Sequence, residues 1–519
     1  MTDITHFIDI GIALSSEKDH RVLLEKIVQS AMDLSNADAG TIYSLSTNNE
    51  LVFETIINKS LSLHLGGTTD QEIKFSPIPI YKYGKVNESA LVAIAAKTGE
   101  IINIEDAYQC QHYDLSAAKE MDAETGYKTQ SVLTLPMKNH LGDLNGVIQL
   151  INACDKDGKV IPFNQSTQKL TFALTSLAAV IFTNKQLIDE MENLFSAFSQ
   201  LIASAIDKKS PYTGGHCRRV PLITMMLAEA CNEVDSGPLN DFSMSKEDFH
   251  ELGVAAWLHD CGKVATPEYV MDKSKKLETL FDRIELINAR FEIAARDIYS
   301  STKYTEKKKA LLLQALESDR EFIGIANTGG EFFDDDKIER VYKIAKNYQV
   351  TIAGVKQNIL TSDEIYNLII KRGTLNDKER QVINGHMDVT VEMLESMPFP
   401  KHLQRVPEYA CGHHEKMDGT GYPKGLKRDQ MSIPARIMGI ADVFEALTAN
   451  DRPYKDPKTL SETLTIMGRM KLGDHLDPDL FDVFISEKVY LTFAEQYLEP
   501  SQIDSFDISE IPGCEGQKG

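Results

Sequence analysis

The sequence predicts a multidomain protein with an N-terminal α+β unit, a long linker helix and an all-α C-terminal unit. Three observations predict it. Strand-like and helical segments alternate over residues 20–190, one helical pattern without Gly or Pro runs over 170–206, and helical periodicity dominates from 207 onward. A chain of 519 residues also exceeds what one ordinary core organises.

In chain order, Leu23, Leu24, Ile27, Ala31 and Leu34 share one helical face. Strand-like runs follow at 40–45, 51–56, 101–104, 131–137 and 144–152, with a helical segment at 90–97 among them. Helices at both ends of an antiparallel sheet suggest a sensor module, assigned to 1–169. Over 170–206, Leu177, Ile181, Asn184, Ile188, Met191, Phe195, Phe198 and Ile202 recur in steps of four and three. This heptad seam has one polar position that can fix register. It predicts a parallel two-stranded coiled coil, and so a homodimer through 177–202. The all-α unit is assigned to 207–500, and 501–519 reads as a tail frayed at its end.

Composition narrows the function. Hydrophobic residues make up 42% and charged residues 25%, as in soluble globular proteins. The first residues lack a basic segment followed by an apolar one, and no run reaches the ~18 apolar residues of a membrane span. A cytoplasmic protein without membrane insertion is expected. Seven scattered cysteines without CxxC spacing fit a reducing compartment, and Cys217 and Cys261 read as small packing residues. The net charge of −22 argues against a nucleic-acid polymer as partner, but not against a small phosphorylated substrate held by metal ions.

The chemistry concentrates in His413-His414-Glu415-Lys416-Met417-Asp418-Gly419-Thr420-Gly421-Tyr422-Pro423. Two adjacent imidazoles before a glycine-rich loop are poor core material. If helical, they diverge by roughly 100° and serve one ion poorly, but each can reach a different ion of a pair. Partners exist in His259-Asp260-Cys261-Gly262-Lys263, His216, His386 and Asp442. Imidazole and carboxylate are ligands that divalent Fe, Mn and Zn accept, and an Asp oxygen can bridge two ions.

The ordered set resembles the HD-GYP subfamily of HD metal-dependent phosphohydrolases. Residues 258–263 match its HD motif, 413–423 its HHE-x-x-DG-x-GYP loop, and 442–447 with Arg452-Pro453-Tyr454-Lys455 its last motif. The matching stretches span 204–295 and 370–470. The family reaches its next His about thirty residues after the doublet, whereas here His386 follows His259 at a far greater distance. A helical insertion near 278–370 is therefore expected, read as charged, solvated hairpins. Residues 125–136 and 142–152 resemble a GAF domain. The signature of cyclic-nucleotide-binding GAF domains is incomplete at Asn152-Ala153, Phe163 and Gln165-Ser166, so the ligand of this unit is open.

The resemblance implies a phosphodiesterase opening cyclic di-GMP to pGpG and onward to GMP, with two divalent ions, Fe or Mn. In the family pattern His216, His259, Asp260 and Asp442 hold one side, and Asp260, His386, His413 and His414 the other. Lys263 can set an ammonium over the scissile phosphate. Arg452, Lys455 and Tyr422 are implied to bind the dinucleotide. Glu415 and Asp418 are expected to orient the His-His segment and its loop. Family members with three ions have a Glu four residues before His216; Tyr212 stands there, which favours two ions and puts its phenol beside them. Two alternatives stay open: 3′,3′-cGAMP as substrate, or a receptor without turnover.

Overall fold

The computed structural model describes residues 8–514, except 9, 15, 18, 211–214, 331 and 451–456. The chain divides into two compact units, Met1–Leu194 and Phe195–Gly519.

The first unit is α+β. Helix His20–Ser35 starts where the Asp19 carboxylate accepts from the Arg21 and Val22 amides, replacing partners that a helix start lacks. An antiparallel sheet follows in the order Leu63–Gly66, Glu50–Asn58, Ala37–Leu45, Leu144–Cys154, Val132–Lys138, Ile102–Ile104. The two central strands pair Ile42 opposite Ile148. Leu23, Leu24, Ile27 and Val28 of the helix pack on Ile42, Leu133, Ile148 and Leu150, all buried. Each such side chain contributes about 1.5–3 kcal/mol on burial. The strand-like runs at 40–45, 51–56, 101–104, 131–137 and 144–152 each coincide with a strand, those at 101–104 and 131–137 starting one residue before it. Strand Leu63–Gly66 and helix Ser116–Thr125 were not expected, being short and without clean periodicity.

One helix runs over Gln165–Lys209. Leu174, Ala178, Ala179 and Phe182 belong to the core of the first unit, and Ala203 and Ile206 to that of the second. By length and composition it could cross a bilayer, which the residue count over 170–182 did not suggest. Within that stretch Leu174, Ala178, Ala179 and Phe182 are buried in the first unit, whereas Phe172 is exposed. The expected seam also changes. Ile181 packs on the first core, while Phe195 and Ile202 pack on the second. Leu187, Ile188, Met191, Leu194, Phe198 and Leu201 stay uncovered; Ile188, Met191 and Phe198 belong to the expected seam, and Leu187, Met191, Leu194, Phe198 and Leu201 recur in steps of four and three. The uncovered stripe departs from the expected seam at Ile181, Phe195 and Ile202, which are spent on the helix's own units.

The second unit is all-α. Its centre is helix Ile433–Thr448, with Ile437, Met438, Ile440, Ala441 and Phe444 buried. Around it lie His216–Glu233, Lys246–Leu258, His386–Ser396, Val406–Cys411, Leu460–Leu472, Pro478–Ser486 and Val489–Tyr497. The tail is less frayed than expected: Ile511 and Cys514 are buried in this core. The insertion is more than solvated hairpins. Helices Ile284–Ser300, Glu306–Asn327, Asp335–Asn347 and Ser362–Leu368, with hairpin Gln349–Ile352/Val355–Asn358, enclose a core of their own around Ile287, Phe291, Ile323, Val341 and Ile344. Glu364 is a buried charge among them, paired with Arg290 at 2.6 Å. All seven cysteines are free thiols, and Cys217 and Cys261 are buried.

Candidate metal centre

Five segments deliver the side chains. His216 is the first residue of its helix, following Gly215. His259 ends helix Lys246–Leu258, and Asp260 opens the 3-10 turn Cys261–Ala265 that carries Lys263. His386 starts helix His386–Ser396, and Asp442 lies in the buried central helix. His413 and His414 sit in the turn just past Val406–Cys411, not in a helix. The 100° divergence therefore does not apply, and both rings reach the same cluster, their centroids 4.1 Å apart.

The side chains form two groups that share Asp260. One is Asp260, His386, His413 and His414; the other is His216, His259 and Asp260. Within each, the candidate ligand atoms lie within 4.8 Å of one another. His386 Nε2 is 3.2 Å from Asp260 Oδ1, and His216 Nε2 is 3.1 Å from Asp260 Oδ2. Asp442 joins the second group with Oδ1 3.4 Å from His216 Nε2, and its Oδ2 is 3.9 Å from His414 Nδ1.

The backbone sets the tautomers. His259, His386 and His413 each donate Nδ1–H to the carbonyl three residues earlier, Ala256 (2.7 Å), Ile383 (2.5 Å) and Ala410 (2.6 Å). This leaves Nε2 as the lone-pair nitrogen turned into the cluster. His216 does the same through Nδ1 and the Glu445 carboxylate. Glu445 also accepts from Arg219 Nε at 2.8 Å. Neither Glu445 nor Arg219 was singled out from the sequence, yet each stands one turn beyond a singled-out residue, Asp442 and His216, on the same helical face.

Asp260 Oδ1, His386 Nε2 and His413 Nε2 are buried without a hydrogen bond. Such groups are costly unless something binds them, and their chemistry suits a divalent cation. The electrostatics agree. Burial alone would raise the Asp260 carboxyl, but Lys263 and the imidazoles hold it well below the usual range. Asp442 is likewise held down against burial by His414 and His216. Burial pushes His413 well below the ordinary imidazole range and His414 down to about 4, so both rings stay neutral. Burial opposes charge on His216 too, but Glu445 and Asp260 push it up to about 10. A cation at Nε2 would take the place of that proton.

Lys263 Nζ donates to Asp260 Oδ2 at 2.5 Å. Tyr422 stacks on His414, ring centroids 4.8 Å apart, and burial raises its phenol to about 12. Its expected surface is thus partly used within the chain. Glu415 is buried and accepts from the Lys424 and Leu426 amides at 2.7 and 2.9 Å, anchoring the loop. Gly421 is packed so that a Cβ would stand 2.5 Å from the Glu415 Cα. Asp418 is exposed and accepts from the amide and hydroxyl of Thr420, shaping the loop from within. Tyr212, Arg452 and Lys455 lie outside the described residues.

A family model described as GAF domain matches residues 19–182, and one described as HD domain matches 342–480. The chain carries a GAF domain followed by an HD domain. The HD match contains His386, His413, His414 and Asp442, and it begins inside the insertion that separates them from His259 and Asp260. The 3′3′-cGAMP-specific phosphodiesterase 1 of Vibrio cholerae is 39% identical over 135 residues, 25% of this chain and 30% of that protein. A probable cyclic di-GMP phosphodiesterase of the same organism is 32% identical over 168 residues, 31% and 36% of the two chains. A cyclic di-GMP phosphodiesterase of Thermotoga maritima is 32% identical over 125 residues, 24% and 33% of the two. The GAF–HD chain spans about a third of the length of these relatives.

Proposed function

We propose that the HD unit is a metal-dependent cyclic dinucleotide phosphodiesterase, opening cyclic di-GMP to pGpG and onward to GMP, under control of the GAF unit. The observation that carries this reading is the pair of His/Asp groups sharing Asp260, with buried ligand atoms that lack hydrogen bonds. His216, His259, Asp260 and Asp442 would hold one divalent ion, and Asp260, His386, His413 and His414 the other, as iron or manganese. Such a pair supplies Lewis acidity and an acidified water for in-line attack on phosphorus. The chain supplies the rest. Lys263 sets an ammonium beside Asp260, where negative charge grows on the phosphoryl oxygens. Arg452 and Lys455 offer a fork and a point charge for the dinucleotide. Tyr422 forms the wall of the site through its stack on His414.

Tyr212 in place of a carboxylate favours two ions over three. The exposed stripe Leu187, Met191, Leu194, Phe198 and Leu201 supports a parallel dimer, since a second copy presents the same heptad spacing. Free thiols throughout fit a cytoplasmic setting. A second reading has 3′,3′-cGAMP as the preferred substrate, favoured by the relative of that name. A receptor without turnover is disfavoured by the full ligand set.

The test is turnover of cyclic di-GMP and 3′,3′-cGAMP by purified protein loaded anaerobically with Fe(II) or Mn(II). Release of a linear dinucleotide, abolished by chelation and by Asp260→Asn, is expected. Metal-loaded protein that binds either dinucleotide without cleaving it would overturn the enzymatic reading.

A further inference from the structure

The long helix ends against the reaction centre. Its last residue, Lys209, reaches the 3-10 turn Cys261–Ala265 and donates Nζ to three backbone carbonyls: Lys263 at 3.4 Å, Val264 at 2.5 Å and Thr266 at 2.6 Å. These carbonyls close the turn, and a helical end leaves its last carbonyls short of partners. A cation there meets both their hydrogen-bonding need and their dipole. The same turn carries the Lys263 ammonium and begins at Asp260, the residue shared by both metal-ligand groups.

One neighbour braces the same helix end. Ser210 hydrogen-bonds the Asp272 carboxylate, past the helix that follows the turn. Ala203 and Ile206, just upstream, are sealed in the core. The helix end is therefore fixed to the segment that follows the turn and to the core of its own unit. Lys209 thus spends its donors on two carbonyls of the turn and on that of Thr266 just past it.

We infer that Lys209 is a positioning residue for Lys263, and the point at which a shift of the long helix reaches the reaction centre. It touches neither substrate nor metal. It holds the turn so that the Lys263 ammonium stays at Asp260; drawing the helix end away would pull the Val264 and Thr266 carbonyls and swing Lys263. This inference rests on the phosphodiesterase reading for its kinetic consequence, but not for its structural one.

Lys209→Met keeps the stem and removes the three donors, Lys209→Arg restores donors, and Lys208→Met is the exposed neighbouring control. With metal content equal to wild type, Lys209→Met should lower kcat roughly tenfold or more with KM changed less than about twofold, because misplacing one group acts on the transition state. Lys209→Arg should recover most of the loss, and Lys208→Met should match wild type. In metal-free protein, amide exchange at Lys263 and Thr266 should quicken at least about tenfold in Lys209→Met, with the first unit unchanged. If the Met variant is poorly folded, Lys209→Gln is read by the same two measurements. Wild-type kcat, or a kcat loss equal to the metal loss, in a folded variant would overturn the inference. So would unchanged exchange in the turn. A wild-type protein that cleaves no cyclic dinucleotide would sink the functional reading alone, and the exchange arm would still decide the clamp.

Discussion

Gly262 measures how little room lies between Asp260 and His386. A Cβ at this position would stand 2.0 Å from the His386 carbonyl oxygen and 2.6 Å from the Thr390 nitrogen, while the Gly262 amide donates to Thr390 Oγ1 at 3.0 Å. Backbone cannot yield that far without moving a helix. Gly262→Ala should therefore push His386–Ser396 outward, cost roughly 1–3 kcal/mol of stability as overpacking does, and lower metal content by separating His386 from Asp260. Metal analysis with a thermal melt checks this. Full metal content with an unchanged melt would mean that the turn relaxes instead. A second residue tests electrostatics. Lys276 is 1% exposed, donates to the Leu368 carbonyl at 3.1 Å and stands 3.9 Å over the Phe333 ring. Burial, with Lys337 nearby, lowers it to about 8. Between about pH 8 and its ordinary value near 10.5, the folded protein has released a proton that the unfolded chain keeps, so stability rises with pH across that window. Lys276→Met should thus stabilise the protein near pH 7, by about 1 kcal/mol, and lose that advantage towards pH 10. Urea unfolding at both pH values reads it; an equal effect at both would show that charge is not the cause.

At the scale of elements, the helix Gln165–Lys209 shows what a periodic pattern can and cannot tell. Its existence and length were legible, because no Gly or Pro interrupts it. Its seam was legible only in part: Ile188, Met191 and Phe198 are exposed, whereas Ile181, Phe195 and Ile202 pack on the cores, since a stripe of apolar residues looks alike whether it meets a partner or its own core. Leu187, Leu194 and Leu201 are 55%, 70% and 65% exposed, so Leu187→Glu with Leu194→Glu should yield monomers by sedimentation without lowering the melting temperature. Ile181→Glu would instead unfold the first unit, where Ile181 packs. An unchanged species in the Leu187/Leu194 variant would remove the coiled coil from consideration. The cluster itself was legible for a different reason: the His259-Asp260 doublet and the His413-His414 loop resemble an ordered family pattern, which also picks out His216, His386 and Asp442. Glu445 and Arg219 were not, because a charged residue on a helix is ordinary in sequence, and only the fold sets Glu445 between His216 and Arg219. Lys209 was invisible for the same reason: its partners are backbone carbonyls, which every residue owns.

Across the whole molecule, the insertion has a property that its separate core alone does not convey. The chain enters and leaves it side by side. Thr374 Oγ1 donates to the Lys273 carbonyl at 2.9 Å, Gly373 pairs with Gly330, and the Lys273 ammonium meets Glu379 Oε1 at 2.7 Å from the far side. Two or three residues span such a gap, each adding at most about 3.6 Å. Replacing 275–372 by Gly-Ser-Gly should leave a folded protein that binds as much metal as the full chain, with a smaller denaturant m-value because less surface is exposed on unfolding. Loss of metal on excision would make the insertion a strut of the reaction centre. Retention would make it a cassette, a separately folding passenger plugged into the shortest crossing between His259 and His386, and so a place where other domains could be grafted without rewriting the chemistry beneath.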